Sequence, residues 1–457
     1  MNSILIIIAF NLIIFFRTLR FSICVDDVRH YARIQNGKFD LKPTLKTLPA
    51  WIQARLYGGG TLGRARPGEA PDAHLDHLLT ICLHTTASVL VYLAFHSFWA
   101  AILYSCNPTN MQTSVWLNGR RYLINVILVM LMVIFPIAGI PLYMATGLFH
   151  YTAIFAPVLF LGWWSVPVAG LFYLLFRGRI DSVVKSRLAN IPTPEWKTFT
   201  PKRLIVSIKI YGFHFFKMLF PGITLMNYPT LFMWGNTKEG NKDAYAFNFD
   251  FYLGILALLV SVLGVGILPP AYRLWAVFMA LAIAQWCAII PANQLLADRY
   301  TSTAMPFMMF FVAYFLPWQA CLALAGFYVA RLWSGMEMFC DVFHFWKYQL
   351  FYAPHITTPR KEIIIYLIHS GDYMKAWHYC REGLEYTPTD FSLLHRAAIC
   401  AKAAGIRKQA LEYVMKAEQN FYIGQEESQK AWCDEFKRQM KQEDLAQLDH
   451  GPKGKRR

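Results

Sequence analysis

The sequence predicts an all-α protein: a polytopic membrane helix bundle followed by a short helical repeat domain. Three observations lead to this fold class. Of the 457 residues, 56% are hydrophobic and only 16% are charged, whereas a soluble domain carries roughly 25% charged residues. Long apolar segments recur as far as residue 334, and beyond residue 337 the chain becomes charged with helical spacing.

The first apolar segment covers residues 4–16 and is closed by Arg17 and Arg20. It lacks a preceding basic region and a small-residue cleavage site, which predicts a retained membrane anchor. Asp26 and Asp27 follow shortly afterwards. Ionisable residues at membrane depth are costly and therefore functional candidates, and in an adjacent pair one carboxylate can act as a base while the other orients it. A solvated loop is the alternative interpretation.

Because a bilayer span needs about 20 mostly apolar residues, about eleven segments are candidate spans. Their approximate bounds are 4–23, 78–94, 95–106, 122–137, 138–155, 157–176, 204–220, 249–268, 272–290, 303–317 and 319–334. An odd number puts the two chain ends on opposite sides of the membrane. A cytoplasmic N-terminus makes loop 24–76 external and the basic loop 177–203 cytoplasmic, as the positive-inside rule requires. Loop 28–76 is also basic although it would be external, so the positive-inside rule supports this orientation at one loop and opposes it at the other.

Three further polar groups interrupt the apolar segments. They are His77, Thr80, His84 and Ser88 on one helix face, Gly119-Arg120-Arg121 at a span entrance, and Asp298-Arg299-Tyr300. The histidines indicate either packed core residues or a polar cavity. The arginines could anchor the chain at the interface or bind a phosphate. In the chosen orientation the last group lies on the same membrane face as the aspartate pair, which favours a functional site there.

The C-terminal region contains an internal period of 34 residues. Gly371 and Gly405 are separated by this distance, and so are Ala376 and Ala410. Helix, glycine turn and helix with small residues at fixed positions is the tetratricopeptide pattern. We therefore expect a transmembrane domain over residues 1–336, a tetratricopeptide-type domain over 337–445 and a disordered basic tail over 446–457.

The charge and the cysteines narrow the classes of function. The net charge of +16 suits anionic lipid or a phosphorylated substrate, and the sequence has no nucleic-acid motif. The nine cysteines are scattered without a CxxC pair, which argues against a disulfide framework and a zinc site.

In their order along the chain, these features resemble the transmembrane-and-tetratricopeptide glycosyltransferases of the C-type membrane fold, which include eukaryotic O-mannosyltransferases. The matching residues are Asp26-Asp27, His77 and His84, Gly119-Arg120, Leu219-Phe220-Pro221 with Tyr228, Ile290-Pro291, Asp298-Arg299-Tyr300 with Pro306, and the region from Trp333 to Trp346 with the repeats. The chain departs from the family pattern at Asn107, Lys42, Thr80 and Asp298, where the family has His, Arg, Asn and Glu.

The resemblance implies transfer of a sugar from a polyprenyl-phosphate donor to a protein or glycan acceptor on the non-cytoplasmic face, with inversion. It implies that Asp26 or Asp27 is the catalytic base and that Arg299 and Arg120 bind the donor phosphate. His77, His84, Asp298, Tyr300 and Lys42 would support a polar cavity. A divalent metal is not assigned; Asp26 and Asp27 would be its ligands if one binds.

The expected partners are the lipid bilayer, a lipid-linked sugar and a protein bound by the repeats, with no nucleic acid. The repeats would face the periplasm of a bacterium or the lumen of the endoplasmic reticulum. Two other classes of function stay open: a non-catalytic membrane scaffold that acts through its repeats, and a lipid or glycan transporter.

Overall fold

The computed structural model describes residues 2–22, 73–149, 153–161, 164–175, 201–222, 246–287, 297–352, 354, 357–421 and 426–449. Within these ranges every regular element is a helix, which confirms the all-α class. Asp26, Asp27 and Lys42 lie outside the described residues, and so do Tyr228, Ile290 and Pro291. The chain divides into two compact units, residues 1–345 and 346–457, and the predicted boundary after residue 336 lies close to this division.

The described part of the first unit is a set of apolar helices. They are α1 (Asn2–Phe15), α2 (His74–Phe95), α3 (Phe98–Cys106), α4 (Arg120–Ile134), α5 (Gly139–Phe149), α6 (Ser165–Leu175), α7 (Pro201–Leu219), α8 (Phe249–Ile267), α9 (Pro270–Ala284), α10 (Met305–Phe315) and α11 (Trp318–Met336).

Among the described residues, three stretches of helix are long and apolar enough to cross a membrane: Asn2–Arg20, which is α1 with the 3₁₀ turn that follows it, α2 and α8. Their length and hydropathy indicate a membrane-associated protein. Helices α6, α9 and α10 are apolar but shorter than a bilayer span. The bundle of eleven spans stays a prediction.

Helices α7 and α8 pack at the distance that two glycines permit. A Cβ on Gly254 would lie 2.2 Å from the carbonyl oxygen of Ile208, and a Cβ on Gly212 would lie 2.6 Å from the backbone of Gly254. Small residues allow such close backbone approach between membrane helices. Gly212 and Gly254 therefore determine how closely these two helices approach each other.

Side chains of α11 satisfy the backbone where α7 ends, at Pro221-Gly222. The Tyr328 hydroxyl donates to the Leu219 carbonyl at 2.8 Å, and the Arg331 guanidinium donates to the Gly222 carbonyl. A broken helix leaves carbonyls without intrahelical donors, and inside a membrane such groups need partners from the protein. This end of α7 is thus fixed by α11.

Helix α12 (Val342–Tyr352) contains the division between the units, and the second unit continues with α13 (Thr357–His369), α14 (Tyr373–Tyr386), α15 (Phe391–Ala403), α16 (Arg407–Glu418) and α17 (Glu426–Asp449). Helices α13 to α17 pack consecutively, each on the next. Gly371 and Gly405 occupy the α13–α14 and α15–α16 turns with the same φ of +79°, a conformation that favours glycine. This equivalence agrees with the 34-residue period; a tetratricopeptide solenoid stays a prediction.

Caps and small residues define the helices of this unit. Asp372 and Asp390 cap α14 and α15, because each carboxylate accepts a hydrogen bond from the backbone N–H three residues later. The core between α15, α16 and α17 is formed largely by alanines and a few larger apolar side chains, among them Phe391, Val414 and Phe436.

Candidate functional site

The candidate site is organised around residues 107–119, which we call the connecting segment because they join α3 to α4. Residues 107–117 are all buried. Asn107 begins the segment: its Oδ1 accepts from the Thr109 N–H at 3.0 Å, and its Nδ2 donates to the Met218 carbonyl at 2.9 Å. Asn107 therefore ties the connecting segment to α7.

Arg120 follows the connecting segment and is bound by α2. Its Nη1 donates to Asp76 Oδ1 at 2.8 Å, its Nε donates to Thr80 Oγ1 at 2.8 Å, and its Nη2 donates to the Asp76 carbonyl. The side chains of Arg120 and Asp76 are 1% and 0% exposed. Removing one partner of such a buried pair leaves an uncompensated charge. Arg120 thus holds α4 against α2; phosphate binding by Arg120 stays a prediction.

Gly119 lets the end of the connecting segment pack against its middle. A Cβ at this position would lie 2.2 Å from the Gln112 carbonyl oxygen and 2.6 Å from Thr113 Cα. Only glycine leaves room for this backbone contact. Close backbone packing therefore requires glycine at position 119, and the charge of Asp76 accounts for the arginine at position 120.

Arg299 meets the connecting segment at Gln112. Its Nη1 and its backbone N–H donate to Gln112 Oε1 at 3.1 and 3.4 Å. Its guanidinium lies 5.5 Å from the Trp116 ring centre and 5.1 Å from that of Tyr300, within the range of a cation–π interaction. Arg120 and Arg299, which are far apart in sequence, are therefore brought to the same short segment.

Asp298 and Tyr300 connect the site to α7 and to the end of α9. Asp298 is buried, and its charge acts on the ammonium of Lys217 in α7. The Tyr300 ring stacks on Trp286, with centres 4.0 Å apart and an angle of 1° between the planes. The edge of His214 faces the same ring at 6.4 Å. The Asp298–Thr301 turn is thus fixed from two sides.

The two predicted histidines have different surroundings. His77 is buried next to the Asp76–Arg120 pair and faces the Phe21 ring at 6.3 Å. His84 lies two turns further along α2, where its Nε2 is 3.0 Å from the Ser105 carbonyl and its ring stacks on Tyr104. His77 therefore belongs to the site, whereas His84 packs between α2 and α3.

The residues that follow α1 lie at the end of α2 that carries the Asp76–Arg120 ion pair. Ser22 donates to the Cys340 carbonyl from its backbone N–H and from its hydroxyl, both at 2.9 Å. The ring of His74, which is two residues before Asp76, contacts the Leu19 carbonyl. The chain is thus anchored close to His77 and Asp76 immediately before it leads to Asp26.

A cavity of about 770 Å³ lies among α7, α8, α9, α10 and α11. Its walls are almost wholly hydrocarbon and include Phe215, Leu219, Val260, Met308 and Phe327. Phe215 and Leu219 flank Lys217 on α7. Such a space suits an apolar chain and offers little to a polar ligand.

Sequence reasoning missed Asp76, Gln112, Trp116, Lys217 and His214. Asp76 had a usable signal, because Asp76, Thr80, His84 and Ser88 recur at every fourth residue and all are buried. Gln112 and Trp116 had none, since their role depends on the turn at Gly119. Within the described part of the chain, no three His, Cys, Asp or Glu side chains form a metal-binding group; Asp26 and Asp27 lie outside it.

No protein family, no curated protein and no solved structure matches this chain. The likeness to C-type glycosyltransferases therefore rests on the sequence motifs quoted above alone.

Proposed function

We propose that the protein transfers a sugar from a polyprenyl-phosphate donor to an acceptor hydroxyl on the non-cytoplasmic face of a membrane. The observation that carries the proposal is the meeting of Arg299 and Arg120 on the connecting segment at one end of an apolar helix bundle. Fixed cations in a dry site stabilise developing negative charge better than water does. A phosphate leaving group at a membrane surface requires such a site.

Arg299 is the better placed of the two for the donor phosphate. Its guanidinium lies between Trp116 and Tyr300, which restrict its orientation. Gln112 Oε1 accepts from one of its terminal nitrogens. Arg120 supports the site by holding α4 against α2.

Asp26 and Asp27 supply the base in this proposal. Asp26 is four positions after Ser22, and an extended chain spans at most about 3.6 Å per residue. Asp26 therefore lies within about 15 Å of Ser22, which is anchored near His77. This limit allows one carboxylate to reach a substrate held between the aspartates and Arg299.

The proposed step is a single displacement. One carboxylate removes the proton of the acceptor hydroxyl, the acceptor oxygen bonds to the anomeric carbon, and the bond from that carbon to the phosphate oxygen breaks. Polyprenyl phosphate leaves with both electrons of the broken bond, and attack from the opposite side inverts the anomeric centre. The apolar cavity among α7, α8, α9, α10 and α11 would hold part of the lipid chain.

The test is sugar transfer by purified full-length protein from a radiolabelled polyprenyl-phosphate sugar. We expect Asp26→Asn or Asp27→Asn to lower kcat by about 10²- to 10⁴-fold, because the base is lost. Arg299→Met should lower transfer by about 10²-fold. Arg299→Lys, which keeps the charge without the planar fork, should lose less.

Asp434→Asn and Arg273→Met are the matched controls, because both side chains are exposed, and they should transfer sugar like the wild type. Full transfer by both aspartate variants would refute the assignment of the base. If the wild-type protein transfers no sugar to any acceptor while its helical tail still binds a partner protein, the scaffold function is correct instead.

A further inference from the structure

Helix α12 begins beside the end of the first apolar helix. The Arg17 guanidinium donates to the carboxylate of Glu337, in the turn after α11, at 2.7 Å. The backbone N–H and the hydroxyl of Ser22 both donate to the Cys340 carbonyl. The stretch Asn2–Arg20 is long and apolar enough to cross a membrane, and arginines at the end of such a helix extend to the membrane surface. The start of α12, two residues after Cys340, therefore lies at that surface.

The two faces of α12 differ in exposure. The buried face consists of four residues within two turns: Phe345, Trp346, Gln349 and Leu350. On the other side, His344, Lys347 and Phe351 recur at the spacing of a single helix face and are exposed. The exposed fraction of Phe351 is 77%. One face of α12 thus packs within the protein, and the other presents a large apolar ring to its surroundings.

The exposed side of α12 carries three rings in contact, which we call the aromatic patch: Tyr348, Phe351 and Tyr352. The ring centres of Tyr348 and Tyr352 are 4.8 Å apart, and those of Phe351 and Tyr352 are 5.0 Å apart. Tyrosine is enriched at membrane–water boundaries because its ring is apolar and its hydroxyl polar. Lys347, one turn before Phe351, adds an ammonium group that suits the phosphates of lipid headgroups. The patch therefore has the chemistry of a surface that contacts lipid headgroups.

We propose that α12 lies along the membrane surface with its aromatic patch among the phospholipid headgroups. The 11 residues of α12 make a helix about 16 Å long, whereas the headgroup layer on each side of the hydrocarbon core is only about 6 Å thick. A helix directed away from the membrane would carry Phe351 into water, where its exposed apolar surface is unfavourable. A helix along the surface keeps the whole patch within the headgroup layer, as in other amphipathic interfacial helices.

The test is photocross-linking of the full-length protein in vesicles of phosphatidylcholine and phosphatidylglycerol that carry a radioactive label. Benzoylphenylalanine, a photoreactive aromatic amino acid, replaces Phe351 in one variant, Val262 in a second and Met415 in a third. All three side chains are exposed. Val262 lies on α8, which is long enough to cross a membrane, and is the control for a side chain in lipid. Met415 lies on α16 and is the control for a side chain in water.

We expect labelled lipid on the Phe351 variant at a yield at least about ten-fold above that of the Met415 variant, because an interfacial side chain meets phospholipid continuously. Mass spectrometry should locate the new bond near the glycerol backbone for the Phe351 variant and along the acyl chain for the Val262 variant. A lipid yield at Phe351 no higher than at Met415 overturns the proposal, and so does a cross-link from Phe351 to a second protein chain in place of lipid. The readout does not depend on sugar transfer, so its failure is distinct from failure of the proposed function.

Discussion

At the scale of single residues, the structural role of Arg120 can be separated from its proposed role in phosphate binding. Its ion pair with Asp76 is fully buried, and breaking such a pair from one side costs about 3–5 kcal/mol. We therefore expect Asp76→Asn to lower the free energy of unfolding by about that amount, because the guanidinium keeps its charge without a counter-ion. Thermal unfolding in detergent measures the loss.

A double variant tests what Arg120 does beyond this. Asp76→Leu combined with Arg120→Met removes both charges, and replacing a buried pair by apolar side chains is often close to neutral for stability. The double variant should therefore recover most of the unfolding temperature. If Arg120 also stabilises the donor phosphate, sugar transfer stays low in this folded protein. An Asp76→Asn variant that unfolds at the wild-type temperature contradicts the structural role.

The sequence made some of these residues predictable and hid others. Arg120 and Arg299 stood out because they interrupt apolar segments. Asp76 was missed because the polar face of α2 was taken to begin at His77. Asp76 nevertheless continues the four-residue spacing of Thr80 and His84. Gln112 and Lys217 depend on which helices meet, and no local pattern carries that information.

At the scale of helices, α15 carries a histidine whose burial makes the second unit sensitive to acid. The His395 ring lies 4.1 Å from Trp432 and stacks on Phe391. Burial, with a smaller contribution from the charge of Arg396, lowers the pKa of His395 to about 4. The unfolded chain has a histidine pKa near 6.5, so it binds a proton that the folded unit excludes.

Stability from this group is complete above about pH 6.5 and is lost as the pH falls from there towards 4. We expect an acid-dependent loss of about 1–2 kcal/mol, since the ring is only partly shielded from water. Circular dichroism melts between pH 4 and 8 measure it. His395→Phe should flatten the profile, and His378→Phe, on the exposed face of α14, should not. A wild-type profile without slope in this range contradicts the prediction.

The helices themselves were partly predictable. The segments beginning at residues 4, 78 and 249 correspond to the three long apolar helices, because their composition alone specifies a span. The short apolar helices are harder, since a buried helix and a shortened span share one composition. The 34-residue period was readable because Gly371 and Gly405 both occupy a turn that needs a left-handed residue.

At the scale of the whole molecule, the proposed chemistry requires one topology: the N-terminus inside, loop 24–76 outside, loop 177–203 inside and the C-terminus outside. We expect a bacterial alkaline phosphatase, active only outside the cytoplasm, to be active when fused after Arg457 and inactive when fused after Ala189. A fluorescent protein that matures only in the cytoplasm should give the opposite pattern. Equal phosphatase activity at both sites would contradict the odd number of spans predicted between Ala189 and the C-terminus.

The break in α7 has an evolutionary consequence. The carbonyls of Leu219 and Gly222 depend on Tyr328 and Arg331, roughly one hundred positions away along the chain. A mutation that moved the end of α7 by one residue would leave Tyr328 and Arg331 without these acceptors and the two carbonyls without donors. In related chains, Pro221, Tyr328 and Arg331 should therefore be conserved together or change together, although they are far apart along the sequence.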